Sequence, residues 1–478
     1  MSVEWYAPVV MLVALTLWLR GSVLSAVMAL TFFTLFDGGA ALNVSGASVQ
    51  PAYFFLVFLV PHVLLTMFNR TSHVKLGLEG NAYLVFYGVY GAATAFYLPK
   101  VFSRSIYLPP MLINKAAIFY TAPLGPSKQN ITTAIYLIAA MLISVAASAA
   151  TKDQRSRRVF VNWAIVISWC HIFFGLLGLG ASKFGGAAII GFFRDAKYAQ
   201  LTEDSQGLSR VSGIFPEPSA YGGYAFVWLV LMVELWLRGV KSRWTGATAL
   251  ALLAMCLACT STSSYFGLAV YGAVLIVRWA LAPDRRVVGK MALMSLIALT
   301  ASCAALAAVA FVPEIAHMVG RALTSLTLHK LDTRSGVQRS FWAKAGLSAF
   351  VKSYGLGVGA GSFRCSSLPL AILGSTGLVG FTAFTAHVLK MMQPLSLTTY
   401  RLRKPEPVAV GVCVAWSACI GLLPAVVSSP SADPPILFSI LGGLALGWRS
   451  LAEGDGRQVR DVAKRDTHMS ATADLVLT

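Results

Sequence analysis

Long apolar runs recur along almost the whole chain, and they restrict its fold more than any other feature of the sequence. Each run spans roughly 15–25 residues, the length that an α-helix needs to cross the hydrocarbon core of a bilayer. Because the chain is 57% hydrophobic and 12% charged, its apolar surface exceeds what one aqueous core could bury. The sequence therefore predicts an all-α polytopic membrane protein.

We expect about 12–13 membrane-spanning helices. They lie near residues 5–19, 22–37, 51–68, 81–99, 129–150, 159–181, 219–237, 245–259, 264–280, 290–312, 366–389, 407–428 and 434–448. The first run follows Glu4 and no Lys or Arg, unlike the positively charged start of a signal peptide. The first helix is therefore expected to remain in the protein.

Clusters of Lys and Arg in short loops predict the orientation, because such loops stay on the cytoplasmic side. The basic segments 151–158, 238–243, 278–290 and 390–404 alternate consistently with the predicted helices. Residues 1–448 then form a single transmembrane domain, followed by a disordered cytoplasmic tail at 449–478. The remaining loops face outward: 100–128, 182–218, 260–263, 313–365 and 429–433, of which 182–218 and 313–365 are the longest.

Two of the predicted outer loops are unexpectedly basic. Loop 313–365 has seven Lys or Arg residues against two acidic residues, and loop 100–128 has four against none. Cations kept on the outer face indicate an anionic lipid surface or an anionic substrate. Arginine pairs bidentately with phosphate and stays charged in a partly buried cleft. We therefore expect four arginines to converge on a phosphate or diphosphate: Arg210, Arg334, Arg339 and Arg364.

The segment RVSGIFPEPSAYGG (210–223) places Glu217 between two prolines at the start of a very apolar helix. A carboxylate there can cap the helix. Alternatively, it can act as a base, a sugar anchor or the partner of an arginine, because an unpaired glutamate at the membrane edge is energetically unfavourable.

In the larger loop, SGVQ (335–338) has capping-box spacing and predicts a helix over 337–352. It is either an amphipathic helix on the outer leaflet or an ordinary packed loop helix, and both place Arg334 and Arg339 at its N-terminal end. The glycines of GLGVGAGSFRCSS (355–367) allow close approach to a ligand or simple flexibility. A dinucleotide site is excluded, because this segment follows no strand and belongs to no βαβ unit.

Four segments in this order resemble the Wzy-type O-antigen and exopolysaccharide polymerase family: RVSGIFPEPSAYGG, TSTSSY (260–265), RSGVQRS in a long outer loop, and YGLGVGAGSFRCSSLPLAILGSTGLVG (354–380). The resemblance covers roughly residues 205–380. O-antigen ligases share the architecture, but they commonly carry Asn-Pro-Asn where this chain has PEPS. That difference favours a polymerase.

The resemblance implies a GT-C type glycosyltransferase in the bacterial cytoplasmic (inner) membrane, with its active site facing the periplasm or exterior. It would use undecaprenyl-diphosphate-linked oligosaccharide as both donor and acceptor, with a chain-length regulator and membrane lipids as further partners. The four arginines would bind the diphosphate, which needs cations as negative charge develops. Glu217 is the first choice as base and His329 the second, with Arg210 also in the catalytic set, and transfer would invert the anomeric carbon.

Weaker sugar contacts are expected at Tyr221, Ser264, Tyr265 and Ser366, although helix capping explains the 261–265 turn equally well. No spacing typical of a metal site is visible, and we expect neither metal nor cofactor. A nucleic-acid binder is excluded despite the net charge of +19, because the charge is spread over loops on both membrane faces. The alternatives are an O-antigen ligase with the same donor and another acceptor, and a lipid-linked sugar flippase or transporter, which should carry charges near the bilayer midplane.

Overall fold

The structure is a computed structural model that describes residues 2–44, 47–68, 71–112, 119–151, 154–196, 204–205, 208–281, 287–296, 334–392 and 406–449. The described chain is mostly helical, as the apolar runs predict. His329, residues 313–333 of the long loop and the tail from 450 lie outside the described residues.

The described helices are α1 (Tyr6–Arg20), α2 (Val23–Phe33), α3 (Pro51–Phe68), α4 (Thr71–Gly80), α5 (Ala82–Val101), α6 (Lys128–Ala149), α7 (Gln154–Phe184), α8 (Ala187–Phe193), α9 (Pro218–Leu237), α10 (Ser242–Ala258), α11 (Thr262–Leu281), α12 (Val287–Leu296), α13 (Arg334–Lys352), α14 (Leu368–Met392), α15 (Glu406–Ile420), α16 (Leu423–Val426) and α17 (Ile436–Arg449). A 3₁₀ turn, Thr34–Phe36, extends α2.

Three small antiparallel sheets connect helix ends. The first pairs β1 (Ser2–Val3) with β2 (Leu42–Val44) and β2 with β3 (Ala47–Val49), in the register Val3 to Leu42 and Leu42 to Val49. The others pair β4 (Tyr107–Leu108) with β5 (Ala122–Pro123), and β6 (Asp204–Ser205) with β7 (Leu208–Ser209).

Six of the described helices contain stretches long and apolar enough to cross a membrane: Lys128–Ala149, Arg155–Ala181, Pro218–Leu237, Thr262–Leu281, Leu368–Met392 and Ala409–Val426. Shorter apolar helices, including α1, α2 and α17, accompany them. The structure thus supports a membrane-embedded, all-α polytopic protein. The predicted span 407–428 is interrupted, because α15 ends at Ile420 and α16 begins at Leu423. Two short helices, α4 and α8, were not expected from the sequence.

The ends of the helices define two faces of the bundle. The Glu217 face contains the turns after α2, α5, α7 and α10 and those before α6, α9, α14 and α17. On this face the indole of Trp5, just before α1, donates to the Phe192 carbonyl of α8 at 3.0 Å. The Glu234 face gathers several of the predicted cytoplasmic cations. One of them, Arg157, donates to the Trp448 carbonyl at 3.4 Å. Its cytoplasmic orientation stays a prediction.

Helix α9 is the centre of the bundle. It packs against α7, α10, α11 and α15, and nearly all of its residues are buried, including Trp228. Pro218 occupies its first turn, where the fixed φ of proline suits a helix and the missing N–H costs nothing. Since α9 is held on all sides, the positions of both of its ends are fixed.

A buried charge cluster lies at the C-terminal end of α9. The Glu234 carboxylate accepts hydrogen bonds from Arg278 at 2.6 Å and from Tyr271 at 2.9 Å, and it also pairs with Arg238 one turn later. The Arg278 guanidinium lies 3.8 Å above the ring of Trp416. Buried charges persist where they are paired and hydrogen-bonded, so this cluster joins α9, α11 and α15.

Candidate functional site

Glu217 is the residue immediately before α9, with extended backbone angles (φ −155°, ψ 159°). Its carbonyl accepts the N–H groups of Ala220 and Tyr221, each at 3.1 Å, but its carboxylate makes no hydrogen bond to the free N–H groups of the first turn. The Ser219 hydroxyl donates to the carboxylate instead. Glu217 therefore does not act as a simple side-chain cap of α9.

Arg194, at the end of α8, fixes the segment that carries Glu217. This buried guanidinium donates to the Pro216 carbonyl at 2.8 Å and to the Ser212 hydroxyl at 3.4 Å. The aliphatic part of Arg194 also packs on Gly38, because a Cβ added there would lie 3.2 Å from its Cγ. The role of Arg194 could not be predicted from the sequence, since a single arginine in a long loop belongs to no motif.

Arg364 lies close enough to Glu217 for the two charges to interact. Burial lowers the pKa of the Arg364 guanidinium, and the negative charge of Glu217 opposes that shift. The guanidinium carbon lies 4.7 Å from the ring centre of Trp342 on α13, and one nitrogen donates to the Met111 carbonyl at 3.4 Å. Within the described residues its buried Nε has no hydrogen-bond partner. The charge of Glu217 therefore acts on Arg364, and the predicted meeting of these residues at a diphosphate stays a prediction.

A third charged group, Asp37, belongs to the same cluster and was not expected from the sequence. It follows the 3₁₀ turn after α2, and Gln50 donates to its carboxylate at 2.7 Å. Burial and, to a smaller extent, the charge of Glu217 raise the pKa of Asp37 to about 6, against the lowering effect of the hydrogen bond from Gln50. The neighbouring Gly38 packs against the Ile214 carbonyl, which an added Cβ would approach to 2.3 Å.

Asp433, between α16 and α17, adds another carboxylate to the Glu217 face. Burial raises the pKa of Asp433, whereas hydrogen bonds from Ser431 and from its own backbone lower it. Tyr136 on α6 lies within electrostatic range of both Asp433 and Asp37, and its ring is stacked on Tyr53 with 4.4 Å between centroids. Stacked aromatic rings beside carboxylates are chemically suited to a sugar.

The other three predicted diphosphate arginines occupy different positions. Arg210 donates to the hydroxyl and carbonyl oxygens of Thr260, at 2.9 and 3.1 Å, in the turn between α10 and α11. Arg339 lies one turn before Trp342 on α13, and its carbonyl accepts the Ser366 hydroxyl at 2.6 Å. Arg334 begins α13, and its side chain lies outside the described residues. No contact shown here joins these side chains to Glu217, so their convergence stays a prediction.

The predicted sugar contacts lie mainly inside the protein. Tyr221 is fully buried and donates to a carbonyl of α7 at 3.3 Å. Ser264 is buried at the start of α11, and the half-exposed Tyr265 donates to a carbonyl near the end of α10 at 2.8 Å. Ser366 fixes the start of α14 to α13 through Arg339. All four are engaged by the protein, and their role in sugar binding stays untested.

The glycine-rich loop packs on helices rather than presenting its N–H groups to solvent. Gly355, Gly357, Gly359 and Gly361 all have φ between 81° and 90°, a region that L side chains rarely adopt. The N–H groups of Val358 and Gly359 donate to carbonyls of α14, both at 2.9 Å. The loop lies against the break of α14 at Gly377 (φ 64°, ψ −164°). It is a rigid support that fixes Arg364.

The cluster of Glu217, Asp37 and Arg364 combines two carboxylates in different environments with a cation. Such a combination can orient a hydroxyl, accept its proton and stabilise an anion. Among the described residues, no group of three or more His, Cys, Asp or Glu side chains is arranged to hold a metal ion. No protein-family model matches this chain, and no curated protein matches it.

Proposed function

We propose that this protein is a membrane glycosyltransferase of the Wzy type, which joins oligosaccharide repeat units linked to undecaprenyl diphosphate. The reaction is a single displacement with inversion at the anomeric carbon, and it takes place at the Glu217 face. The observation that carries the proposal is that the charge of Glu217 acts on the buried guanidinium of Arg364, because these residues come from two separate segments of the resemblance.

Arg364 is suited to the departing diphosphate. Its guanidinium is stacked on Trp342, and its Nε is buried without a partner in the described part of the chain. An anion that accepts this N–H would remove the cost of an unpaired buried donor. Since the guanidinium is fixed before substrate arrives, it can stabilise the developing charge without reorganisation.

Glu217 is suited to the acceptor sugar. Its carboxylate is half-buried, accepts the hydroxyl of Ser219 and makes no capping hydrogen bond to the backbone of α9. A carboxylate in that position can accept a hydrogen bond from a sugar hydroxyl while the arginine beside it faces the diphosphate. The donor diphosphate is then bound by Arg364 and the acceptor sugar by Glu217, two residues whose charges act on each other.

The test uses purified protein in lipid vesicles, supplied with the lipid-linked repeat unit alone. We expect stepwise lengthening, read on a gel or by mass spectrometry. Glu217→Gln and Arg364→Ala should each reduce the rate by about 10²- to 10⁴-fold, as expected for loss of an acid–base or charge-stabilising group. Glu79→Gln is the matched control, because Glu79 is an exposed carboxylate on α4.

Full-length polymer from well-folded E217Q and R364A would refute the assignment of these residues. Failure of the wild type to lengthen the unit, together with transfer to an added lipid or protein acceptor, would instead identify a ligase. Movement of the lipid-linked sugar across the vesicle without a new glycosidic bond would identify a flippase.

A further inference from the structure

Two of the carboxylates on the Glu217 face, Asp37 and Glu217, belong to separate segments and have different environments. We propose that Asp37 is the group that takes the proton from the acceptor hydroxyl, while Glu217, within electrostatic range of Arg364, orients that hydroxyl. This inference rests on the proposed glycosyl transfer, and it assigns the role of base to a residue outside every motif of the sequence.

Asp37 is held rigidly against the Glu217 segment. The turn that follows α2 is fixed to α9 by a 3.0 Å hydrogen bond between Thr34 and Tyr224. Gly38 has no room for a side chain, because the Ile214 carbonyl lies where a Cβ would be placed. The Asp37 carboxylate is therefore fixed within electrostatic range of Glu217 from a different element of the fold.

The charged and titratable groups around Asp37 come from several elements. Glu217 precedes α9, Tyr224 lies on α9 and Tyr136 on α6, and both tyrosines are electrostatically coupled to Asp37. From the segment after α8, Arg194 packs on Gly38 and Asp195 accepts the Ala40 N–H at 2.6 Å. The Gln50 amide contacts the Asp37 carboxylate directly.

The two carboxylates are thereby suited to different tasks. The pKa of Asp37 is raised to about 6, first by burial and then by the charge of Glu217, and a base that titrates near the working pH is most effective. Glu217 lies within electrostatic range of the Arg364 guanidinium, and its carboxylate can accept a hydrogen bond from the hydroxyl that Asp37 deprotonates.

In the reaction, the acceptor hydroxyl transfers its proton to the Asp37 carboxylate as its oxygen forms the new bond to the anomeric carbon of the donor. The bond between that carbon and the diphosphate oxygen breaks, and its electron pair stays on the diphosphate beside Arg364. The proton then leaves Asp37 for water, and the carboxylate is regenerated.

The experiment measures initial rates of lengthening between pH 5 and pH 8 in vesicles that contain the lipid-linked repeat unit. For the wild type, kcat/KM should rise about tenfold per pH unit below pH 6 and then level off, because the ionised base is the active form. Asp37→Asn should lower the rate by about 10²- to 10⁴-fold and remove this inflection. Glu217→Gln should also be slow, but it should keep an inflection, moved to lower pH because the charge that helps to raise the pKa of Asp37 is gone.

Two further variants keep the test decisive if D37N folds poorly. Asp37→Glu retains a carboxyl, so it should retain the pH dependence at a reduced rate. Gln50→Leu removes a hydrogen bond that favours the charged carboxylate, so its inflection should move to higher pH. Unchanged inflections in folded D37N and in Q50L would overturn the role of Asp37. No lengthening by the wild type at any pH would overturn the glycosyl transfer itself, which is a distinguishable outcome.

Discussion

Replacing Asp37 by asparagine should stabilise the protein at neutral pH and have a smaller effect in acid. Burial and the charge of Glu217 raise the pKa of Asp37 from 3.8 to about 6 in the folded protein. The folded state therefore holds the proton more tightly than the unfolded state, so stability falls as pH rises between about 4 and 6. Each pKa unit is worth about 1.4 kcal/mol, which sets an upper limit of about 3 kcal/mol for the penalty above pH 6.

Water around the half-buried carboxylate reduces this figure, and we expect a penalty of about 1–3 kcal/mol at pH 7.5. D37N lacks the charge, so its stability should not fall in this range. The Gln50 amide can still donate to the asparagine oxygen, which keeps the packing of the turn comparable.

The assay is thermal unfolding of the detergent-solubilised protein, followed by intrinsic tryptophan fluorescence at pH 4.5 and pH 7.5. The quantity to compare is the Tm of D37N minus that of the wild type, which should increase by several degrees from the lower to the higher pH. Subtracting the two conditions removes any pH-independent packing change. Glu79→Gln, on an exposed carboxylate, should show no such increase. An equal or smaller Tm difference at pH 7.5 would refute the reasoning.

Three other changes test the architecture. Glu234→Leu leaves the two arginines of its cluster buried without their shared counter-charge, so it should cost about 3–5 kcal/mol and abolish the monodisperse peak in size-exclusion chromatography. Gly357→Ala places a Cβ on a residue with φ 83° and within 2.5 Å of the Ser375 carbonyl, so the Tm of this variant should fall clearly. Gly272→Ala is the control, because a Cβ added there meets open space, and it should not lower the Tm. Trp342→Ala removes the ring under Arg364 and should raise the KM for the lipid-linked donor several-fold with little change in Tm. The reason is that a partly desolvated cation–π contact is worth about 1–2 kcal/mol. An unchanged KM would exclude a role of this stacking in donor binding.

The helices could be predicted well because the length of each apolar run by itself indicates a membrane-spanning helix. The expected run 219–237 is observed as Pro218–Leu237, and 51–68 as Pro51–Phe68. The break after Ile420 could not be predicted, because Gly421 lies in a continuously apolar stretch of the sequence. Glycine spacing indicated a tight loop, but it could not indicate whether a ligand or a helix lies against it.

The candidate site could be predicted only in part, because some of its residues have no distinctive sequence pattern around them. Glu217 and Arg364 stand beside prolines, glycines and helix starts, which are local signals. Asp37 lies about 180 residues before Glu217, and nothing around it distinguishes it from any polar residue at a helix end. Its importance comes from the packing of Gly38 on the Ile214 carbonyl, which is a property of the folded chain.

The two ends of α9 show how the same kinds of residues can serve stability or chemistry. At Glu234, carboxylate and guanidinium groups are in direct contact, at 2.6 Å for Arg278, and their charges offset each other within the bundle. At Glu217, no ion pair within 4 Å joins the carboxylate to an arginine among the described residues, although the charge of Glu217 acts on both Arg364 and Asp37. Separated charges in a rigid site can still respond to a substrate, whereas charges that neutralise each other cannot. Because α9 is buried along its length, the contact cluster at one end holds in place the helix that positions the separated charges at the other.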